Sequence, residues 1–573
     1  MKAKIASLLV IAFIILSAAG ENVHLKISPE QMQPEIFEKT LNFSRPFIED
    51  GKIYMHGCNS RIYSAGMPAL PEHKIILKFP FGTKIERIVC RVNEISVENL
   101  NEKISAMPFP RAMNNGSVIK YNISQDEFPS AWMSYKIGAG LDGNNRTIFL
   151  PIHVYPVRYL PDENKIEYAR SISIEVEYKK AAVIEKDLYD LIIITPEEFK
   201  SMAYKLAEHK EKHGIKTKVV SLSYIYTHSY GRDEPEKIKL FLRDAIEKYG
   251  IKYALLFGDI EHVPSRRAYS FIWGDGMYSD YYYADIYDAN GSFCSWDSNG
   301  NNRFGETGKN ADKVDLYADL YVGRLACHDL DEAKTVVNKI IKYENSSEKP
   351  WFRRLILMGG DTFPKWNDIA EGEIVNAFVA NARQDFEHIW IQTSLHNFLP
   401  WKINAIWSEG SGFISYSGHG FEYGFGTYPK NSKWMIAYYT PYLLWLKNGD
   451  KLPVIFFDAC LTAKLDYHMF GNPNIPCFAW CLVKKANGGA IATIGATESA
   501  TTTVTEEGPI GQAGYLNLHF FMAYQHGTTP SKMLVKAKHD YLNDIASSKA
   551  NDRLYEMTLE QFILLGDPSL QLP

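Results

Sequence analysis

The stretch Leu188–Gly214, "LYDLIIITPEEFKSMAYKLAEHKEKHG", reads as a buried strand and then an amphipathic helix. Leu191–Ile194 form an unbroken apolar run that Thr195-Pro196 ends, and beyond it apolar residues recur at helical spacing until Gly214. Strand "KTKVVSL", helix "EPEKIKLFLRDAIEKYG" and strand "YALLFGD" follow in order. This βαβαβ alternation predicts an α/β fold, a mostly parallel sheet covered by helices on both faces.

Toward the C-terminus the rhythm breaks for a polar excursion, Tyr278–Asp312, and then resumes. Strands "LYVGRL", "RRLILMGGD", "GFISYSGHG", "PVIFFDAC" and "AIATIGAT" alternate with helices such as "DEAKTVVNKIIKYENS" and "CFAWCLVKKANGG". Toward the N-terminus the pattern differs. From Glu21 to Lys180 short alternating runs, "HKIILKFPFG", "KIERIVCRV" and "SISIEVEYKK" among them, are broken by Pro, Gly and Asn. Those are strands at the spacing of an all-β sandwich. The boundary falls at Lys179–Lys186. The reading is therefore a segment 1–20, a β-rich domain 21–182, and two α/β subdomains, 187–345 and 346–573.

The first segment, "MKAKIASLLVIAFIILSAAG", has two lysines, an apolar run and a small-residue ending, the order of a secretory signal peptide. It predicts a secreted or surface-exposed protein, with no membrane span in the mature chain. Six N-x-S/T sequons, at Asn42, Asn115, Asn122, Asn145, Asn290 and Asn345, are compatible with export. A net charge of −5 with both signs interspersed argues against a nucleic-acid or polybasic membrane partner. Seven cysteines are too few for a disulfide scaffold, and an odd count leaves at least one thiol outside an internal pair. Cys58 with Cys90 and Cys294 with Cys327 are possible pairs. Cys477 and Cys481, a turn apart on a helix, read as buried small side chains.

In open α/β sheets reactive groups collect at the carboxyl ends of strands. Three such endings carry chemistry: Asp361 after "LILMGG", His419 after "FISYSG", and Cys460 after "VIFFDA". A thiol needs a base to become a thiolate at neutral pH, and the imidazole needs an acceptor for its other nitrogen. Cys460 as nucleophile, His419 as base and Asp361 as orienting acid fill those roles. Glycines at 418, 420, 424 and 426 allow bare backbone to approach a substrate carbonyl, and the amides of Gly420 and Cys460 are candidates for an oxyanion hole. Each residue also has a structural reading: a packed cysteine, a turn histidine, an Asp that caps a turn.

The pair "YSGHG" and "FFDAC" resembles the gingipain family of cysteine peptidases, which share a caspase-like fold. The likeness extends through "DLIIITPEEF", "YALLFGDIEHVPSR", "DLYVGRLACHDLDEAKTVVNKIIKYE" and "LLGDPSLQL", and "SAGMPALP" is similar to that family's β-rich propeptide. The resemblance implies a thiol endopeptidase made as a latent precursor, with its own propeptide as intramolecular inhibitor and protein or peptide substrates. His419 and Cys460 match the family's base and nucleophile. Asp361 stands where the family has a Glu. Asp368 falls in register with an acid that the arginine-specific members place at the base of the P1 pocket, which implies an Arg or Lys preference; its structural reading is a helix N-cap. With that preference, Lys179, Lys180 and Lys186 become self-processing sites. Two alternatives remain: a transpeptidase that resolves the acyl-enzyme with an amine, and a catalytically silent binding module.

A separate pattern lies in "WDSNGNNRFGE". Asp297, Asn299 and Asn301 alternate and Glu306 follows, an oxygen-donor spacing that suits a structural Ca²⁺, although the EF-hand order is incomplete. Asp280, Asp285 and Asp288 could add ligands. No His/Cys run has zinc spacing.

Overall fold

The computed structural model describes residues 34–102, 104–120, 127–181, 186–270, 272, 274–306, 312–366, 368–545 and 552–573. The signal-like segment 1–20 lies outside the described residues, as do part of the 179–186 boundary and the chain just beyond Glu306. Among the described residues no helix is long and apolar enough to cross a membrane.

The α/β region is built on one ten-stranded sheet. Its strands are β1 (Leu191–Thr195), β2 (Thr217–Ser221), β3 (Tyr253–Phe257), β4 (Tyr321–Leu325), β5 (Arg354–Gly359), β6 (Glu387–Gln392), β7 (Phe413–Ser417), β8 (Val454–Asp458), β9 (Ala492–Ala496) and β10 (Phe562–Leu565). Their order across the sheet is β2-β1-β3-β4-β10-β9-β8-β7-β5-β6. The first five run parallel to one another and so do the last five, while β10 and β9 meet antiparallel. The expected parallel α/β pattern is therefore two half-sheets of opposite direction fused at one seam. The division at 345/346 does not separate them cleanly, because β10, from the far end of the chain, completes the first half.

The apolar runs end up where continuous hydrophobicity requires, on strands covered on both faces. Leu191 to Ile194 and Val454 to Phe457 have no exposed surface. The helices follow their sequence signals. Asp233 caps the helix Glu234–Tyr249 by accepting from Glu236 N, and Gly250 ends it at φ 77°. Lys210 is wholly buried, with Nζ 2.7 Å from Glu344 and 2.5 Å from Asp567, so the closing "GDPS" turn is tied to the first half by paired charges.

The β-rich region forms two antiparallel sheets. One holds Glu35–Asn42, Lys165–Lys179, Val157–Leu160 and Lys84–Asn99; the other holds Ser60–Ile62, Leu70–Pro80, Asn145–Val154, Met133–Tyr135 and Gly138–Asp142. Phe79 of the second meets Tyr178 of the first with ring centroids 4.5 Å apart, inside a common core. This sandwich-like domain sits directly on the α/β region. A Cβ at Gly138 would lie 2.0 Å from the Tyr317 ring, and Ala139 N donates to the Asp315 carboxylate at 2.8 Å. Only glycine allows that approach.

None of the seven cysteines is bonded to another, so neither candidate disulfide is formed. Cys477 and Cys481 are buried, as their helical spacing suggested.

Candidate active site

β7 and β8 are parallel neighbours, with Ser417 opposite Asp458. Their chains leave the sheet side by side, which is why residues two positions beyond each strand meet. Gly418 N donates to Asp458 O at 3.1 Å, and Ser417 Oγ to Asp458 Oδ2 at 2.7 Å. At Gly420 the contact is tighter: a Cβ would stand 2.1 Å from Cys460 O and 2.9 Å from Cys460 N. The glycine is required because the histidine turn and the cysteine turn touch backbone to backbone. His419 and Cys460 are thus brought together by strand register.

His419 is 6% exposed, and its Nε2 lies 2.9 Å from the Thr362 carbonyl oxygen. The ring also meets the Met113 backbone in a contact that favours the protonated form, hence its carbonyl. Burial nevertheless outweighs both and lowers the imidazole pKa. Cys460 is fully buried. Its Sγ accepts from Ala500 N at 3.1 Å and sits 3.7 Å from Ala500 O. Burial, followed by the charges of Glu498 and Asp458, pushes the thiol up to about 12, against the Ala500 amide, which favours the thiolate. Among the described residues no hydrogen bond joins the thiol to His419.

Beside the two groups lies the β-rich domain's own chain. Arg111 and Ala112 pair antiparallel with Thr502 and Thr501, and Met113 N donates to Ala500 O at 2.9 Å. The segment then turns back on itself: Gly116 N donates to Ala112 O at 2.8 Å, Ala112 N to Ser117 O at 2.9 Å and Ile119 N to Pro110 O at 2.9 Å. A hairpin tip therefore touches the candidate base through Met113 and, at Ala500, the main chain that contacts the candidate nucleophile. Sequence reasoning missed it, because nothing in "PRAMNNGSVI" marks a strand that pairs with a partner almost four hundred residues away.

Asp361 does not orient His419; the acceptor there is the Thr362 carbonyl. The Asp361 carboxylate instead accepts from Phe363 N at 2.9 Å. Beside it Glu371, 1% exposed, accepts from Thr362 N at 3.0 Å and Phe363 N at 3.3 Å. Burial, and then the charge of Glu371, raises Asp361 to about 7. The two acids hold the turn whose carbonyl faces the histidine. Asp is a methylene short of a side chain that could reach further, and the main chain makes the contact instead.

Asp368 is neither a pocket acid nor a cap. Its side chain is 92% exposed, 3.7 Å from Lys430, and Ala370 is the N-cap of the helix Glu371–Ala382. The buried acid of this segment is Glu371, three residues on.

The loop expected to bind calcium does gather its four residues. Asn299 Nδ2 donates to Glu306 Oε2 at 3.2 Å, Asn301 Nδ2 donates to the same oxygen, and Asp297 Oδ1 accepts from Asn301 N at 2.9 Å. The donor set is oxygen-rich, as a hard cation requires, and Arg232 already pairs with Asp297. Asp280, Asp285 and Asp288 do not join it. Asp280 pairs with Arg324 at 2.7 Å, Asp285 accepts from Trp296 Nε1 at 2.8 Å, and Asp288 caps its own turn. A different cluster, Asp259 with His262 and His328, forms at the ends of β3 and β4 from residues far apart in sequence. Both imidazole Nδ1 atoms hydrogen-bond to the one carboxylate, at 2.7 and 2.8 Å.

A Cys/His pair at adjacent strand ends of such a sheet, behind an all-β domain, defines a caspase-like thiol-peptidase architecture. The chain belongs to peptidase family C25, whose profile matches residues 185–573. It is similar to gingipain R2 of Porphyromonas gingivalis, 22% identical over 394 residues that cover 68% of this chain and 46% of that protein. It is also similar to gingipain R1 of the same organism, at 21% identity with 34% of that protein covered, so the chain spans less than half of either relative's length. The complex of the P. gingivalis RgpB pro- and mature domains superposes with TM-score 0.50 at 20% identity, covering 67% of this chain and 79% of that one.

Proposed function

We propose that this chain is the latent precursor of an exported cysteine endopeptidase. The observation that carries the reading is the hairpin tip: a peptide backbone is already hydrogen-bonded to Ala500 with its Met113 carbonyl at His419, the position a substrate would take. In the reaction Cys460 loses its proton to His419 and its sulfur adds to the carbonyl carbon. The resulting oxyanion lies toward the amides of Gly420 and Cys460. The amine leaves with the proton returned by His419, and water then hydrolyses the thioester. Asp361 and Glu371 are positioning residues, since they reach His419 only through the Thr362 carbonyl.

The same hairpin explains latency. It lies against the candidate site, beside a buried thiol whose pKa is pushed up, and folds back after Met113 instead of continuing across it. Export rests on the signal-like N-terminus. An Arg or Lys preference at P1, the residue on the acyl side of the cleaved bond, needs a carboxylate facing the pocket, and Asp368 faces solvent. Calcium at Asp297, Asn299, Asn301 and Glu306 is a structural role: an ion held there would stabilise the folded state by mass action. A chelator should then lower the melting temperature and added calcium restore it; no shift in either direction would return the segment to a polar turn.

The test of the activity compares the full chain with Cys460→Ala. The wild type should convert to a shorter form on incubation and then hydrolyse a mixed peptide library. The variant should stay full-length, with an unchanged melting curve. Equal conversion by both proteins would remove Cys460 from the chemistry.

A further inference from the structure

The cluster of Asp259, His262 and His328 shares no residue with the candidate active site, and two parallel strand ends build it. Gly258 N donates to Leu325 O at 2.9 Å and Asp259 N to Cys327 O at 3.0 Å, so the chains leaving β3 and β4 run side by side. Gly258 takes φ 151°, and a Cβ there would stand 2.8 Å from His262 Cβ. That close turn folds His262 back onto Asp259, while His328 arrives from the neighbouring chain. His262 Nδ1 lies 2.7 Å from Asp259 Oδ1, and His328 Nδ1 lies 2.8 Å from Oδ2. Oδ1 also accepts from the amides of Glu261 and His262, both at 3.1 Å. Capping the turn uses Oδ1 alone. The second oxygen and the second imidazole add nothing to it.

We infer that these three side chains bind a divalent first-row transition ion of the Zn²⁺ type, held by His262 Nδ1, His328 Nδ1 and the Asp259 carboxylate. Their donor atoms all lie within 4.8 Å of one another. A tetrahedral Zn²⁺ with bonds of about 2.1 Å keeps its donors about 3.4 Å apart, so each nitrogen–oxygen contact has to open by only about 0.6 Å. The ion takes the place of the Nδ1 protons. Glu198 supplies the outer support: its Oε1 lies 2.5 Å from His262 Nε2, so the ring keeps an N–H there and turns its Nδ1 lone pair inward. Two imidazoles with one carboxylate suit Zn²⁺, whereas calcium selects oxygen donors throughout.

The surroundings allow both rigidity and entry. Asp259 is buried, while the His262 and His328 side chains are 21% and 29% exposed, so an ion reaches the imidazoles from solvent. Water completes the tetrahedron. The His468 ring, with its centroid 6.5 Å from that of His328, comes from the segment that follows Cys460. An ion held here would therefore stand where three stretches of chain meet, and binding would stabilise the folded state.

The test uses the untagged full-length chain carrying Cys460→Ala, which keeps the ion off the candidate catalytic thiol. After dialysis against a chelator, Zn²⁺ titrated in competition with a chromophoric chelator should bind at one equivalent, and excess Ca²⁺ should not displace it. Co²⁺ should give a visible absorption band that Zn²⁺ removes. His262→Ala and His328→Ala should each weaken Zn²⁺ by more than about 100-fold and abolish the band, and Glu198→Gln should weaken it about tenfold. Melting curves recorded without metal show which variants fold. If a histidine variant does not, Glu198→Gln carries the comparison, since that side chain is 55% exposed. No stoichiometric binding by the parent, displacement by Ca²⁺, or unchanged affinity in the folded variants overturns the site. Binding that survives the changes at 262 and 328 but is lost in His419→Ala would place the ion at the candidate base instead, and the inference would fall.

Discussion

The turns after β7 and β8 and the turn after β5 stand at the same edge of the same half-sheet, but they are held in place by different means. The first two are fixed by the sheet. Ser417 faces Asp458 across a parallel ladder, so the residues that follow meet with no side chain between them. The third, Asp361–Glu371, is held by its own acids, each capping main-chain amides. A position set by strand register allows almost no freedom, while one set by side-chain hydrogen bonds depends on which acids are charged. The two kinds of turn should therefore fail in different ways when they are altered.

The largest effect should come from the sheet-held turns. Gly420→Ala would put a methyl group 2.1 Å from the Cys460 carbonyl oxygen, a distance no Cβ tolerates, and one contact partner is backbone that cannot rotate away. Either strand end must shift. A displacement on the order of 1 Å at a catalytic group can cost about 100-fold in rate. Turnover of the processed enzyme should fall by about that factor or more, measured as kcat/KM on a cleaved peptide. Near-normal turnover would mean that the two turns separate freely, and the contrast with the acid-held turn would collapse.

This difference also accounts for how much could be read from the sequence. The strand-alternation code marked β7 and β8 as successive strands, and Gly-His-Gly with Asp-Ala-Cys at their ends made His419 and Cys460 the candidates. Nothing comparable ranks Asp361, Asp368, Glu371 and Glu373, four acids in thirteen residues of which two are buried against the turn. Which of them points inward depends on where the helix Glu371–Ala382 begins, and that start carries no side-chain cap to announce it. The hairpin at Arg111–Val118 was illegible for a third reason. Its partner strand, Thr501–Thr505, is distant in sequence, and its own residues are mixed polar and apolar without a period. Pairing of that kind is specified by the tertiary surface it lands on.

A middle-sized effect should follow from pH in the acid-held turn. Asp361 rises from 3.8 to about 7 in the folded protein, because burial and the Glu371 charge both oppose its ionisation. A carboxyl whose folded pKa lies above its unfolded value contributes its stability below the unfolded value and loses it as pH rises through the folded one. The window is therefore pH 4 to 7, and stability should decline across it. Asp361→Asn cannot ionise and should show a flatter decline in melting temperature over that range. Asp458, raised to about 7 by burial, adds a similar slope that this variant leaves in place. If wild type and Asp361→Asn give parallel curves, Asp361 does not titrate in that window, and the turn is held by something else.

The smallest effect belongs to Asp368, which lies in the same acidic run but outside the turn. Its carboxylate is 3.7 Å from Lys430, with side chains 92% and 51% exposed, and such a pair in water contributes about 0–1 kcal/mol. The long Lys430 side chain must also be restrained to make it, which offsets part of that gain. Asp368→Ala should therefore leave the melting temperature nearly unchanged. It should also leave the P1 preference among peptide substrates where it was, because the carboxylate it removes lies in solvent. A basic preference lost on this substitution would place Asp368 in the substrate site after all, which would require the 364–370 segment to turn inward once the hairpin departs. Glu371→Gln is the matched control. Removing that buried charge should disturb the Thr362 carbonyl and with it the His419 contact, lowering kcat more than it raises KM. A surface acid and a buried acid three residues apart would then be told apart by rate alone.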